Sequence, residues 1–359
     1  MPAAAIVGAG IFGASLAYRL ALDGWAVTLY EQYQPGHERA ASGGETRLIR
    51  YAHGSDAWYT RSAWRSLELW RELEAETGTA LLDLRGVVWF AQSDDGWEAE
   101  SEKVLRAEGI ACERLAPDEG LRMFPSFDES GLAFLLTEEE GGVLRAANAT
   151  RATAEAAERA GVRVVRESVV PGQVEGDVVV WACGAWLARL FPEVVQLRVT
   201  RQDVFFFECD GWSDAPGWVE YDAAIYGTGD VDGHGFKAAP DLEGPAWDPD
   251  SDERTPDQAH EQLARDYAAR RFPALAGAPL KQAKVCPYSL TTDTNFILAR
   301  HPELERNWIL GGGSGHGFKH GPALAEYAAR VISGAEQPDE RFGLGPRRRG
   351  PSLRTAGTT

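Results

Sequence analysis

The chain has 359 residues, with 36 Lys or Arg against 54 Asp or Glu, a net charge of −18. That balance excludes binding to a nucleic-acid backbone or an anionic membrane surface as the main role. Apolar and charged fractions of 44% and 25% exclude a disordered or membrane-embedded chain, and no apolar run approaches the roughly 20 residues of a spanning helix.

In chain order, Ala4, Ala5, Ile6 and Val7 read as a buried strand entered almost at once, with no charged leader before it. Gly8-Ala9-Gly10-Ile11-Phe12-Gly13 follows and fits GxGxxG; Ile11–Leu22 reads as the helix it opens, and Ala26–Tyr30 as a second strand ending on Glu31. Gly8 permits the tight turn, Gly10 admits the backbone to a pyrophosphate, Gly13 lets helix pack on strand, and Glu31 is placed to accept from a ribose hydroxyl. The free N–H groups at the helix start favour the anion. Together these elements predict dinucleotide binding.

Gly86–Gln92, Leu132–Leu136, Leu197–Glu208, Val219–Tyr226 and Leu280–Tyr288 are rich in aromatic and β-branched residues and read as strands of an antiparallel sheet. Ala146–Ala160 reads as a helix, as does the stretch to Arg271, with Thr255 as N-cap and Pro256 in its first turn. Two more apolar strands run into glycine: Val178–Ala182 before Gly184, and Trp308–Leu310 before Gly311, Gly312 and Gly313. Such strands suit a parallel sheet covered on both faces, with a ligand off its carboxyl ends. Gly313 and Gly315 would line a slot for a flat ring, and a helix follows from Pro322 to near Gly334.

The predicted fold class is therefore α/β: a Rossmann-like, doubly wound parallel sheet with an inserted antiparallel-sheet domain. The nucleotide domain is expected over 1–85, 141–190 and 285–336, and the substrate domain over 86–140 and 191–284. The tail 337–359, with Arg347, Arg348 and Arg349, has no apolar periodicity and is expected to be disordered. Cys112, Cys183, Cys209 and Cys286 form no CxxC pair, which suits a reducing, cytoplasmic setting.

With these motifs assembled, the chain resembles the monomeric sarcosine oxidase and N-methyltryptophan oxidase family of D-amino-acid-oxidase-like flavoproteins. The resemblance runs from about Ala4 to Ala335 and is carried by VGAGIFGASLAYRLA at 7–21, SGGETRLIRYAHG at 42–54, WACGAW at 181–186, GFKAA at 235–239, KVCPYSLTTDTNFILARHP at 284–302 and GGGSGHGFKHGP at 311–322. It implies FAD, held covalently by a thioether to Cys286, with Ser42 touching the cofactor. It further implies Arg47 and Arg50 near the flavin, Arg50 and Lys319 on the substrate carboxylate, and Lys237 activating oxygen. Tyr226, Tyr288 and His316 would line the substrate pocket. No metal ligand is implied.

The expected reaction is oxidation of the C–N bond of an amino acid to an imine, with oxygen reduced to hydrogen peroxide, by a chain that the resemblance implies is a monomer. A dehydrogenase passing electrons to a carrier, and a non-catalytic flavin-binding protein, remain alternatives. Where the sarcosine oxidases have a substrate-site histidine, this chain has Asp241, directed either at the substrate, favouring one with a polar or cationic group, or at solvent. Either orientation disfavours sarcosine itself.

Overall fold

The computed structural model of the chain describes residues 1–355. Its first sheet has six strands in the order Ile297–Arg300, Asn307–Gly311, Val178–Trp181, Ala3–Val7, Ala26–Glu31 and Arg163–Arg166. Every neighbouring pair is parallel except Ile297–Arg300 against Asn307–Gly311. Alternate residues of the central strand serve two cores. Ala4 and Ile6 pack with the helices Ile11–Leu22 and Gly321–Ile332, while Ala5 and Val7 pack with Trp181, Leu187 and Phe191. Burial on both faces is why these strands are apolar throughout rather than alternating. Chain order reverses at Ala3–Val7, with Ala26–Glu31 on one side and Val178–Trp181 on the other. The crevice beyond the carboxyl ends at such a switch point is where ligands of doubly wound sheets bind.

The second sheet has eight strands: Leu280–Leu290, Arg198–Phe207, Phe236–Pro240, Ile225–Thr228, Gly217–Glu220, Val87–Ala91, Phe134–Glu138 and Glu113–Leu115. It is antiparallel except where Gly217–Glu220 runs parallel to Val87–Ala91, so it is a mixed sheet. The single strand expected over Val219–Tyr226 is instead a hairpin, with Glu220 opposite Ile225. Its turn is closed by Ala224 N–H donating to Tyr221 O at 3.1 Å, with Ala224 at φ 50°. A small third sheet of Thr46–Ile49, Gly142–Arg145 and Leu82–Asp83 presents Arg47 and the approach to Arg50.

The helix ending at Arg271 begins at Gln258, not at Thr255. Asp257 caps it by accepting from Ala259 N at 2.8 Å, and Pro256 lies before the cap. The helix Ala57–Thr77, unanticipated from sequence, is capped by Asp56 and ended by Gly78 at φ 65°.

The expected disorder of the tail is corrected as far as Thr355. Arg347 donates to Asp293, Asn295 O, Phe296 O and Gly343 O. Ser352, Leu353, Arg354 and Thr355 are buried. Local periodicity carries no sign of this, because the segment is held by long-range polar contacts and by the isolated apolar anchors Phe342 and Leu353, which form no continuous face. Residues 356–359 of that expectation lie outside the described residues. Among the described residues, no helix is long and apolar enough to cross a membrane.

Candidate active site

A cavity of about 470 Å³ runs along the carboxyl ends of the parallel strands, within the ~300–1,000 Å³ common for small-molecule sites. It touches all three glycine-rich strand ends: Gly8 and Gly10, Cys183 and Gly184, and Gly311 to Gly313. At one end Gly8 adopts φ 101°, and a Cβ there would fall 2.6 Å from Ala182 O. Gly13 does not line the cavity; a Cβ on it would lie 1.9 Å from Gly8 O, so it sets the contact of helix with turn. Ser42 Oγ accepts from Ile11 N at 2.9 Å, at the mouth of the helix. Glu31 Oε2 accepts from Ala9 N at 2.7 Å and Oε1 from Tyr33 N at 2.9 Å, which fixes the carboxylate at the end of the second strand. A glycine-rich turn, a helix N-terminus and an acid at the next strand end fit the pyrophosphate and ribose of FAD.

The middle of the cavity is lined by Arg47, Gly313 and Gly315. Gly315 has φ 79°, and a Cβ there would sit 2.7 Å from the Tyr288 ring and 2.8 Å from Arg354 Cδ. Arg47 is held by the carbonyls of Thr46, Ala41 and Gly43 at 2.8–3.0 Å. Lys237 stands behind this wall. It is 1% exposed, donates from Nζ to Thr46 O and Oγ1 at 3.2 Å each, and lies 5.0 Å from the Tyr226 ring centroid. Burial, reinforced by the Arg47 charge, brings its pKa down from 10.5 to about 7. Cys286 also does not line the cavity, although its neighbours Pro287 and Tyr288 do. Burial pushes its thiol pKa up, opposed by the charges of Arg47, Lys237 and Arg254.

At the far end Arg50 and Lys319 converge from distant parts of the sequence. Arg50 donates to Ala52 O at 2.6 Å and Leu353 O at 3.1 Å, and its guanidinium lies 4.9 Å from the Trp89 ring centroid. Burial lowers its pKa to about 10. Lys319 Nζ donates to His316 O at 2.8 Å, and burial with the Arg50 charge pushes its pKa well below the usual range. Tyr226, Tyr288 and His316 complete this end.

Asp241 is not directed at solvent: it is 3% exposed and lines the cavity, and its carboxylate accepts from Tyr288 OH at 3.1 Å and Thr355 Oγ1 at 2.8 Å and forms an ion pair with Arg354. The cation beside it comes from the chain's own tail. Arg354 and Thr355 line the cavity and were missed from sequence, where nothing distinguishes them from neighbouring arginines and threonines.

Two further histidines, His53 and His320, join His316 in a buried cluster. Their ring nitrogens contact Tyr51 O (His53), Thr294 O (His316) and Ser62 Oγ (His320) at 2.8–3.0 Å, and one nitrogen from each ring lies within 4.8 Å of the other two. Burial, with Lys319 beside them, drives all three pKa values well below 6.5. They are neutral rings supporting the Lys319 segment, and the cations at Lys319 and Arg50 disfavour a metal ion there.

The family model for FAD dependent oxidoreductases matches residues 3–331. Monomeric sarcosine oxidase of Bacillus sp. (strain B-0618) is 30% identical, with 93% of each chain covered. N-methyl-L-tryptophan oxidase of Yersinia pestis (strain Pestoides F) is 24% identical over 93% of this chain and 95% of its own. Among solved structures, the fold is shared by L-proline dehydrogenase from P. horikoshii, with TM-score 0.81, 21% identity and 96% of each chain covered. It is shared also by glycine oxidase from Geobacillus kaustophilus, with TM-score 0.78, 20% identity, and 97% and 100% covered. A glycine-lined crevice at the switch point, a match over nearly the whole chain and relatives of full length agree: the chain belongs to the FAD-dependent oxidoreductases, in the branch that contains monomeric sarcosine oxidase.

Proposed function

We propose that this chain oxidises the C–N bond of an amino acid, using oxygen as the final acceptor. The observation that carries the reading is the pair of buried cations, Arg50 and Lys319, at the end of a cavity whose other end is built for a dinucleotide. A planar fork and an ammonium suit one carboxylate. They fix the substrate by a group that does not react, so its α-carbon is held at the glycine-lined middle of the cavity. Bound FAD supplies the two-electron acceptor. The substrate loses two electrons and two protons and leaves as an imine, which water hydrolyses. Oxygen takes up two electrons and two protons and leaves as hydrogen peroxide.

Lys319 has a further part. Burial and the Arg50 charge hold its pKa down against the opposing charge of Glu138, and a bound carboxylate raises it again. Lys237, with Arg47 beside it, places positive charge where negative charge develops on oxygen. Tyr226, Tyr288 and His316 shape the substrate end. Cys286 is the residue for a thioether to the flavin, supported by its place beside Arg47 and Lys237, whose charges favour the thiolate. The nucleotide domain comprises 1–85, 141–190 and 291–336, and the substrate domain 86–140 and 191–290; the boundary expected at 285 moves because the strand Leu280–Leu290 pairs with Arg198–Phe207 to its end. This reading includes a monomer in the cytoplasm, with four free cysteines in agreement. The test is peroxide formation in air from a panel of N-methyl, cyclic, D- and L-amino acids. Peroxide from amines that lack a carboxylate, at rates equal to the amino acids, would overturn the clamp.

A further inference from the structure

The C-terminal segment enters the substrate end of the cavity and is pinned there residue by residue. Tyr221 OH donates to Ser352 O at 3.0 Å, and Arg50 Nη2 to Leu353 O at 3.1 Å. Arg354 Nη1 donates to Asp241 O at 2.8 Å and pairs with its carboxylate. The Arg354 guanidinium lies 5.1 Å from the Tyr288 ring centroid and is 2% exposed. Only one edge of it is used. Nε and Nη2 are buried and have no hydrogen-bond partner among the described residues. These two nitrogens form the side-on fork that binds a carboxylate with two parallel hydrogen bonds. Buried donors of a charged group are seldom left unmade without a ligand.

The charges around the fork point the same way. Asp241 is matched by Arg354 itself and meets only its Nη1, so Nε and Nη2 remain without a partner among the described residues. The α-carboxylate is matched by Arg50 and Lys319. The Leu353 carbonyl on Arg50 sets Arg354 one residue along the chain from that clamp, and both arginines line the same cavity.

We propose that the free edge of Arg354 is a second carboxylate subsite, and that the substrate is an amino acid bearing another carboxylate on its side chain or nitrogen substituent. The inference rests on the amine-oxidase reading above. It replaces the cationic substrate group expected from Asp241, since that cation is internal. It also retains the expectation that sarcosine, with one carboxylate, is not preferred.

The test compares kcat/KM for glutamate, aspartate and their N-methyl derivatives, in both enantiomers, with norvaline, alanine and their N-methyl derivatives. Wild type should favour the dicarboxylates at least tenfold. Removing Arg354 alone strands Asp241, so the variant is Asp241→Asn/Arg354→Met, with Arg354→Lys as the control that keeps charge without the fork. The dicarboxylate preference should collapse by roughly 30-fold or more, the loss common for a truncated charged contact. Glutarate, read by its perturbation of the holoenzyme flavin spectrum, should weaken in parallel, which tests the subsite without turnover. Equal losses on both substrate sets would mean that Arg354 holds the α-carboxylate, and would overturn the subsite. A general rise in activity when residues 352–359 are deleted would make the segment a plug, and would also overturn it. Oxidation of monocarboxylic amino acids without preference for dicarboxylates refutes this inference alone; no oxidation of any amino acid refutes the function beneath it.

Discussion

Replacing Lys237 by Met removes the ammonium packed behind Arg47 while keeping most of the side chain's length. The side chain is 1% exposed and its pKa falls from 10.5 to about 7, through burial first and the Arg47 charge second. Its charge is therefore present below about pH 7 and lost above it. If that charge stabilises the negative charge developing on oxygen, reoxidation in the variant should slow by roughly a hundredfold or more. The assay reduces the enzyme with substrate anaerobically, mixes it with oxygenated buffer and follows recovery of the flavin absorbance. Wild-type reoxidation should fall about tenfold per pH unit above about 7, whereas the Met variant should be slow and nearly flat.

Stability gives an independent check. The unfolded lysine holds its proton up to 10.5 and the folded one only to about 7, so the buried charge destabilises the fold fully below about 7 and not at all above 10.5. That difference is on the order of 5 kcal/mol, offset by about 1 kcal/mol for each hydrogen bond lost at Thr46. Lys237→Met should therefore raise Tm at pH 6, with a gain that shrinks towards pH 10. Unchanged reoxidation together with an unchanged pH profile would remove Lys237 from the oxygen step.

Cys286→Ala should release the flavin into the supernatant on acid precipitation, while the wild-type pellet stays yellow; a white wild-type pellet refutes the thioether. Arg50→Ala or Lys319→Ala should weaken substrate and carboxylate inhibitors together, by roughly 2–5 kcal/mol, read as parallel rises in KM and inhibition constants. Carboxylate inhibitors should raise the Lys319 pKa, which burial and Arg50 hold down, so across a pH series their binding should be linked to proton uptake where the amine titrates. Calorimetry in buffers of different ionisation enthalpy measures this, and binding with no uptake refutes it. Gly13→Ala should abolish FAD loading, since its Cβ would lie 1.9 Å from Gly8 O; flavin content after purification reads it directly.

What the sequence disclosed follows a physical line. The parallel sheet was legible because its strands are apolar on both faces and end in glycine, as Ala3–Val7 and Asn307–Gly311 do. Gly8 and Gly13 were legible because each is forced, one by positive φ and both by contacts that no Cβ can meet. Arg50, Lys237 and Lys319 came from motif resemblance, since nothing local marks a lysine as buried. The hairpin at Tyr221–Ala224 was read through as one strand because an alanine, not a glycine, takes the positive φ. The tail was misjudged because Arg354 is ordered by Asp241, 113 positions away. Long-range polar pairing of this kind leaves no periodicity.

The central claim is that an amino acid is the electron donor. Its most direct measurement is anaerobic mixing of the purified holoenzyme with a panel of N-methyl, cyclic, D- and L-amino acids that includes glutamate and N-methylglutamate. Stoichiometric loss of the flavin's visible absorbance with at least one amino acid, and not with the matching amine lacking its carboxylate, is the predicted result. Bound flavin that no amino acid bleaches would contradict the account.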